Sequence, residues 1–244
     1  MATRSRAVTR DRALFKFTFG NGWQVLGAPG KISVMSAGTQ GVGDLAAAFV
    51  LTTAGDFAEW KPTGGWQPVG GRGSILQFSA LRDGAVVAVT TDHSVYEFDP
   101  HRGWFPLAGS GFASFVSAAF DDSGNEVVYA VTLDAGLTRH DANGWRTLQS
   151  SGTTSIVSVG LDGELLTPPF GRPVGYVLGT GGSLVKYDSA GQATNLAPLP
   201  GPVTQLSAAD IDAVFMILAD GSVFGHDDTN GFCRLSAPRG FAEV

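Results

Sequence analysis

The sequence predicts an all-β fold, a six-bladed β-propeller built from four-stranded antiparallel blades. Three observations predict it. A unit of about forty residues recurs along the chain, the period of a four-stranded propeller blade. Each copy divides into four short segments that are apolar throughout or alternate with period two. No stretch of about ten residues or more carries helical periodicity.

The repeat is set by a "GW" signal at Trp23, Trp66, Trp104 and Trp145, with degenerate copies at Ala193 and Phe232. The first segment of each copy ends in serine and a small residue, at Ser36, Ser79, Ser117, Ser158 and Ser207. An innermost strand is crowded, which suits small side chains there. The second segment ("AAFVL", "VVAV", "VVYAV", "GYVL", "VFMIL") is apolar throughout, as expected of a strand covered on both faces. The third alternates ("FAEW", "VYEF", "LTRH", "LVKY", "VFGH"), and turns such as "TDHS" and "ADGS" join it to the second. The fourth carries the tryptophan, a large ring able to cover the gap between blades.

The expected blades span 31–71, 72–109, 110–150, 151–197 and 198–238 of a single domain over 1–244. Residues 5–30 hold second, third and fourth strands but no first, beginning with a strand near Arg6–Arg10. The tail 239–244 comes where a first strand is due, so Gly240–Val244 is expected to close a sixth blade with the N-terminal strands, which would leave no exposed sheet edge. The insertion Leu161–Tyr176, rich in proline and glycine, is expected to form a loop on one face, either tolerated variation or a specificity loop.

Several columns of the repeat are candidates for function. The third strand carries charges at Lys16, Glu59, Glu97, Arg139 and Lys186, on a solvated face or lining a groove. Next comes a column of rings, Phe17, Trp60, Phe98, His140, Tyr187 and His226, for packing or for ligand contact. Then come Asp99, Asp141, Asp188 and Asp227, either Asx-turn residues or acceptors for sugar hydroxyls. In the second strand Tyr129 and Tyr176 are expected to be buried and to need hydrogen-bond partners.

Composition narrows the function classes. The 244 residues carry a net charge of −6, which argues against a nucleic-acid partner. Cys233 is the only cysteine, so neither a disulfide nor a multi-thiolate metal site is expected. The four histidines, His93, His101, His140 and His226, show no HxH or HExxH spacing, and no G-x-S-x-G elbow, phosphate loop or sialidase-type Asp-box occurs. No cofactor, no metal and no catalysis are therefore expected. The first residues lack the apolar core of a signal peptide and no apolar run is long enough to span a bilayer, which leaves a cytoplasmic chain or one exported by a non-classical route, without membrane insertion.

The combination "GW-x-x-[LV]", "DG-x-V-x-x-V" and "[VL]-Y-[EKR]-[FWY]-D" resembles the tectonin repeat, a blade unit of lectin-like β-propellers, best at Asp83–Trp104 and Asp220–Phe232. The tectonin second strand usually carries a tryptophan near its start, where this chain has Arg6, Phe49, Val87, Tyr129, Tyr176 and Phe215. The resemblance implies a non-catalytic carbohydrate-binding protein with repeated shallow sites for glycans, methylated sugars and bacterial surface sugars included, and the chain is expected to be a monomer. Its candidate site residues are Trp23, Trp66, Trp104 and Trp145 with Asp99, Asp141, Asp188 and Asp227. A protein-interaction scaffold is the alternative, and a propeller-fold hydrolase a more distant one.

Overall fold

A computed structural model gives the fold; it describes residues 4–8, 14–18, 22–27, 30–38, 47–61, 65–70, 74–81, 84–121, 123–162, 171–196, 199–208 and 213–236. The chain is an all-β propeller with five four-stranded antiparallel blades. Blade I holds β4–β7 (Ile32–Gly38, Ala47–Thr52, Phe57–Lys61, Gly65–Pro68) and blade II β8–β11 (Ile75–Ala80, Val86–Thr90, Val95–Asp99, Gly103–Ala108). Blade III holds β12–β15 (Ala113–Phe120, Glu126–Thr132, Leu137–Asp141, Gly144–Gln149) and blade IV β16–β19 (Thr154–Asp162, Arg172–Gly179, Leu184–Tyr187, Ala193–Asn195). Blade V holds β20–β23 (Val203–Ala208, Val214–Leu218, Val223–Asp227, Gly231–Ser236). Strands β1–β11 belong to one compact unit and β12–β23 to a second.

The expected sixth blade is corrected. The N-terminal strands β1 (Arg4–Val8), β2 (Leu14–Thr18) and β3 (Gly22–Gly27) form a three-stranded sheet, and among the described residues β1 pairs with β2 alone. The proposed closing strand Gly240–Val244 lies outside the described residues. Counting the phase of the repeat supplied that strand, but the tail itself carries little strand signal: "APRGFAEV" has proline and glycine and no alternation. The expected loop Leu161–Tyr176 is also shorter than supposed. β16 and β17 stay in register out to Asp162↔Arg172, and the segment between them, 163–170, lies outside the described residues.

Within each unit, consecutive blades bury their apolar faces together. Phe49, Leu51 and Phe57 of blade I form one core with Ile75, Phe78, Val86 and Ala88 of blade II. Val127, Tyr129, Val131 and Leu137 of blade III do so with Val157, Val177, Val185 and Tyr187 of blade IV, and Tyr176 and Leu184 of blade IV with Val214 and Met216 of blade V. This double coverage explains why the second segment of every copy is apolar without alternation.

The repeated serine has a second use beyond small size. The Ser36 hydroxyl accepts the Ala80 N–H at 2.9 Å, Ser117 the Val159 N–H at 2.9 Å, and Ser158 the Ala208 N–H at 2.8 Å. Each bond crosses to the first strand of the next blade and satisfies an amide on its open edge. Ser117→Ala and Ser158→Ala are each expected to lower the unfolding free energy by about 1–2 kcal/mol, because the partner amide is left unpaired. Urea unfolding, with the exposed Ser150→Ala as control, measures this; a change equal to the control's overturns the assignment.

Candidate functional site

Strand register joins columns that the sequence shows only separately. Across blade III, Ser117, Tyr129, Arg139 and Arg146 are successive cross-strand partners. The same row reads Ser36–Phe49–Glu59–Gln67 in blade I, Ser79–Val87–Glu97–Phe105 in blade II, Ser158–Tyr176–Lys186–Thr194 in blade IV and Ser207–Phe215–Gly225–Cys233 in blade V. Within the units the row faces the following blade. Arg139 Nη1 donates to the Ser189 carbonyl at 2.6 Å, and Lys186 Nζ donates to Asp228 at 2.7 Å. Glu59 Oε1 lies beside Gly84. Glu59 and Arg139 are buried, so within the units these charged positions line blade junctions and do not form a solvated face.

The ring column pairs directly with the tryptophan column: Phe17↔Trp23, Trp60↔Trp66, Phe98↔Trp104, His140↔Trp145, Tyr187↔Ala193 and His226↔Phe232. Where a preceding blade lies in the same unit, this pair faces it. Trp104 packs 5.1 Å from Phe98 and 6.0 Å from Phe57 of blade I, and its indole N–H is buried without a hydrogen-bond partner. Trp145 lies 4.6 Å from Phe112 and 5.0 Å from His140. Trp66 has the open ring, at 37% exposure. For Trp23 the strand register is described and the side chain is not. The glycine of the "GW" signal has a backbone reason: Gly65, Gly103 and Gly144 sit at φ of 66°, 79° and 88°, the left-handed region that closes the turn.

The four aspartates cap those turns. Asp99 accepts the amides of His101 and Arg102, Asp141 that of Asn143, Asp188 that of Gln192, and Asp227 those of Thr229 and Asn230. The His101 amide foremost holds the Asp99 carboxyl below its ordinary range, and for Asp227 the Asn230 side chain does so. Burial raises Asp141, but the Asn143 amide and the Arg139 guanidinium outweigh it, so its carboxyl is also lowered. Each aspartate follows the ring-column residue, so alternation points it to the other face of its own blade from the tryptophan. A blade's ring and its aspartate therefore do not meet. What the charged row of one blade reaches is the turn that follows the ring residue of the next, Ser189 two residues after Tyr187 and Asp228 two after His226.

The III/IV junction differs from the others. Arg139 lies over the Tyr129 ring at 5.6 Å, and its Nε is 3.5 Å from Asp141 Oδ2. Arg146 Nη2 is 3.9 Å from the same oxygen. Burial pushes the Tyr129 hydroxyl up from its ordinary pKa, with Arg139 opposing. That hydroxyl makes no hydrogen bond of good geometry, contrary to the expectation that each buried tyrosine finds one, and Arg139 is the polar side chain that acts on it. Blade IV makes room with glycine: a Cβ on Gly175 would meet Tyr129, and one on Gly191 would meet Arg146. The sequence signal for this junction was available in Arg139, Arg146 and the lost tryptophan at Ala193, but only register brings them together.

Burial lowers the His140 imidazole below its ordinary pKa, with Asp141 opposing, and Nδ1 is buried without a partner. A folded-state pKa below the unfolded value of about 6.5 means that unfolding takes up a proton as the pH falls. The stability from neutral His140 is present above pH ~6.5 and is lost as the pH drops through the folded value. His140→Phe, the ring that blade II carries at Phe98, is expected to flatten the fall in urea midpoint between pH 7 and pH 5; parallel profiles for both proteins would count against this. Among the described residues no group of three His, Cys, Asp or Glu side chains is placed to hold a metal ion, and no helix is long and apolar enough to cross a membrane.

No family profile matches the chain, the tectonin repeat included, and no curated protein matches it in sequence. Solved structures share its fold. AofleA from Arthrobotrys oligospora superposes with a TM-score of 0.63 at 14% identity, over 100% of this chain and 88% of that one. The fucose-specific lectin from Aleuria aurantia gives 0.63 at 16%, over 98% and 93%. YCF48 bound to D1 peptide gives 0.59 at 15%, over 95% and 78%.

Proposed function

We propose that the chain is a non-catalytic carbohydrate-binding protein that engages surface glycans through several similar sites, as a monomer. The observation that carries this reading is the repeated junction, where the charged row of one blade reaches the turn just after the ring residue of the next, Arg139 to Ser189 after Tyr187 and Lys186 to Asp228 after His226. A ring beside charged groups suits a sugar, whose apolar face stacks while its hydroxyls hydrogen-bond. The likeness to a fucose-specific lectin supports the same reading at the level of fold. Individually weak sites would gain avidity on a glycan-coated surface. Trp66, the most open of the described tryptophans, is the first of them to substitute, followed by Trp145, Trp104 and Trp23; Asp99, Asp141, Asp188 and Asp227 contribute by shaping the adjoining turns. A glycan array that includes methylated sugars and bacterial polysaccharides tests the proposal. Binding that weakens in Trp66→Ala is the expected result, and an array without any binding overturns it.

One observation favours the scaffold reading. The row residue of the second strand is fully buried in Phe49, Val87, Tyr129 and Tyr176, but Phe215 of blade V is 39% exposed beside Leu235 at 54%, with Gly225 between them. An apolar sheet face of this kind suits a protein partner. Peptide display against the full chain decides: selected peptides that lose binding to Phe215→Ser favour a scaffold, and selection of none disfavours it.

A further inference from the structure

We propose that the III/IV junction binds the carboxylate of an acidic sugar, a uronate on a glycan, with Arg146 taking the carboxylate through its guanidinium fork. The inference rests on the carbohydrate-binding reading and specifies the ligand of one site within it.

Three observations lead to it. First, this junction lacks its tryptophan. Trp104 of blade II packs onto blade I, whereas the equivalent residue of blade IV is Ala193, which is exposed and sits on a strand of only three residues. Second, Arg146 occupies the relieved ground. Its guanidinium lies against Gly191 of blade IV, where a Cβ would come within 3.2 Å of Nη2, and its side chain remains 45% exposed. A reachable cation therefore stands at the rim of the junction, with Arg139 and Tyr129 buried behind it.

Third, the hydrogen-bonding capacity left over at the rim is that of the Arg146 guanidinium, which donates only. No described residue takes a hydrogen bond from Arg146, whose nearest acid is the Asp141 oxygen at 3.9 Å. Arg139 Nε, buried behind it, is ion-paired with the same Asp141 oxygen at 3.5 Å and makes no hydrogen bond. The neighbouring acceptors are engaged: Asp141 Oδ1 with Asn143, Asp141 Oδ2 facing both arginines, and Asp188 Oδ1 with Gln192. A neutral sugar hydroxyl brings a donor that needs an acceptor. A carboxylate brings acceptors alone, and its two oxygens match the planar fork of an arginine. The other junctions with charged rows differ. Lys186 is held by Asp228 at 2.7 Å, and blade I supplies the acid Glu59.

Titration calorimetry of the full chain with methyl glucuronide, methyl glucoside and a 6-sulfated methyl glucoside tests the assignment at low ionic strength. The glucuronide is expected to bind about tenfold tighter than the glucoside, and Arg146→Ala to remove that advantage. Arg146→Lys keeps the charge but loses the fork, so its affinity is expected to fall between the two. Equal binding of glucuronide and glucoside, tighter binding of the sulfated sugar, or an unchanged Arg146→Ala overturns the proposal. So does the absence of glucuronide binding. Array binding confined to neutral glycans would sink this inference and leave the carbohydrate-binding reading standing, whereas an array blank for every glycan sinks that reading itself.

Discussion

Phe57→Ala is expected to cost about 3–5 kcal/mol of folding free energy, as large aromatic truncations in cores do. Phe57 is buried at the I/II junction, where it stacks on Phe49 at 5.8 Å, meets Phe78 edge-on at 4.9 Å and lies 6.0 Å from Trp104. Two of these rings come from blade II, so the loss falls on the contact between blades as well as on blade I. Phe215→Ala deletes the same ring from a site that is 39% exposed, and its cost is expected to stay below about 1 kcal/mol. Guanidinium unfolding of both variants gives the comparison. The near-ultraviolet signal of Trp104 adds a local readout, since that indole loses a neighbour only in Phe57→Ala. Equal costs at the two sites would mean that the I/II core is not where the first unit holds its stability.

The strands were legible because each carries its own local signal. β2, Leu14–Thr18, falls within 5–30, where the repeat places a third strand, and the left-handed Gly65, Gly103 and Gly144 of the "GW" turns are written in the sequence as glycine. Burial of the second strands was legible for the same reason, since continuous apolar residues have no face to spare for water. The blade count was not legible in this way. It depended on a strand at Gly240–Val244 inferred from phase, with no alternation of its own to specify an edge.

The site was legible as a set of columns and not as an arrangement. Asp141 and Trp145 stand four residues apart in the sequence, yet pleating sends them to opposite faces of blade III. Arg139 and Ser189 stand fifty residues apart and share a hydrogen bond. Nor does sequence say that a charged column is buried: Arg139 and Glu59 alternate with apolar residues as any exposed strand position would. The fact that decides between groove and solvent is the presence of the following blade, a long-range property that no window of residues contains. Loss of tryptophan at Ala193 looks like decay when the copies are aligned, and it becomes an opening only once Arg146 is seen lying against Gly191.

Gly175→Val tests whether blades III and IV are fitted to each other at this point. A Cβ on Gly175 would lie 2.8 Å from Tyr129 Cε1 and 3.0 Å from Cζ, closer than unstrained carbon atoms approach. The ring has little room to yield, because Tyr129 is fully buried and Arg139 lies over it at 5.6 Å. Overpacking here is expected to cost about 3 kcal/mol. The repeat itself suggests the compensation. At the place of Gly175 the other blades carry Ala48, Val86, Val128 and Val214, and at the place of Tyr129 blade II carries Val87. Tyr129→Val alone is expected to destabilise by leaving a cavity, but combined with Gly175→Val the added methyl groups enter the space that the ring vacates. The double variant is therefore expected to be more stable than the sum of the single costs allows, by about 2 kcal/mol, a coupling typical of residues in direct contact. Additive costs would show that the glycine is not there to receive the tyrosine. Coupling of that size would mean that the ring beneath Arg139 is held by the fit of the two blades, so that the position of the guanidinium pair at the III/IV junction is set by Gly175 as much as by the arginines themselves.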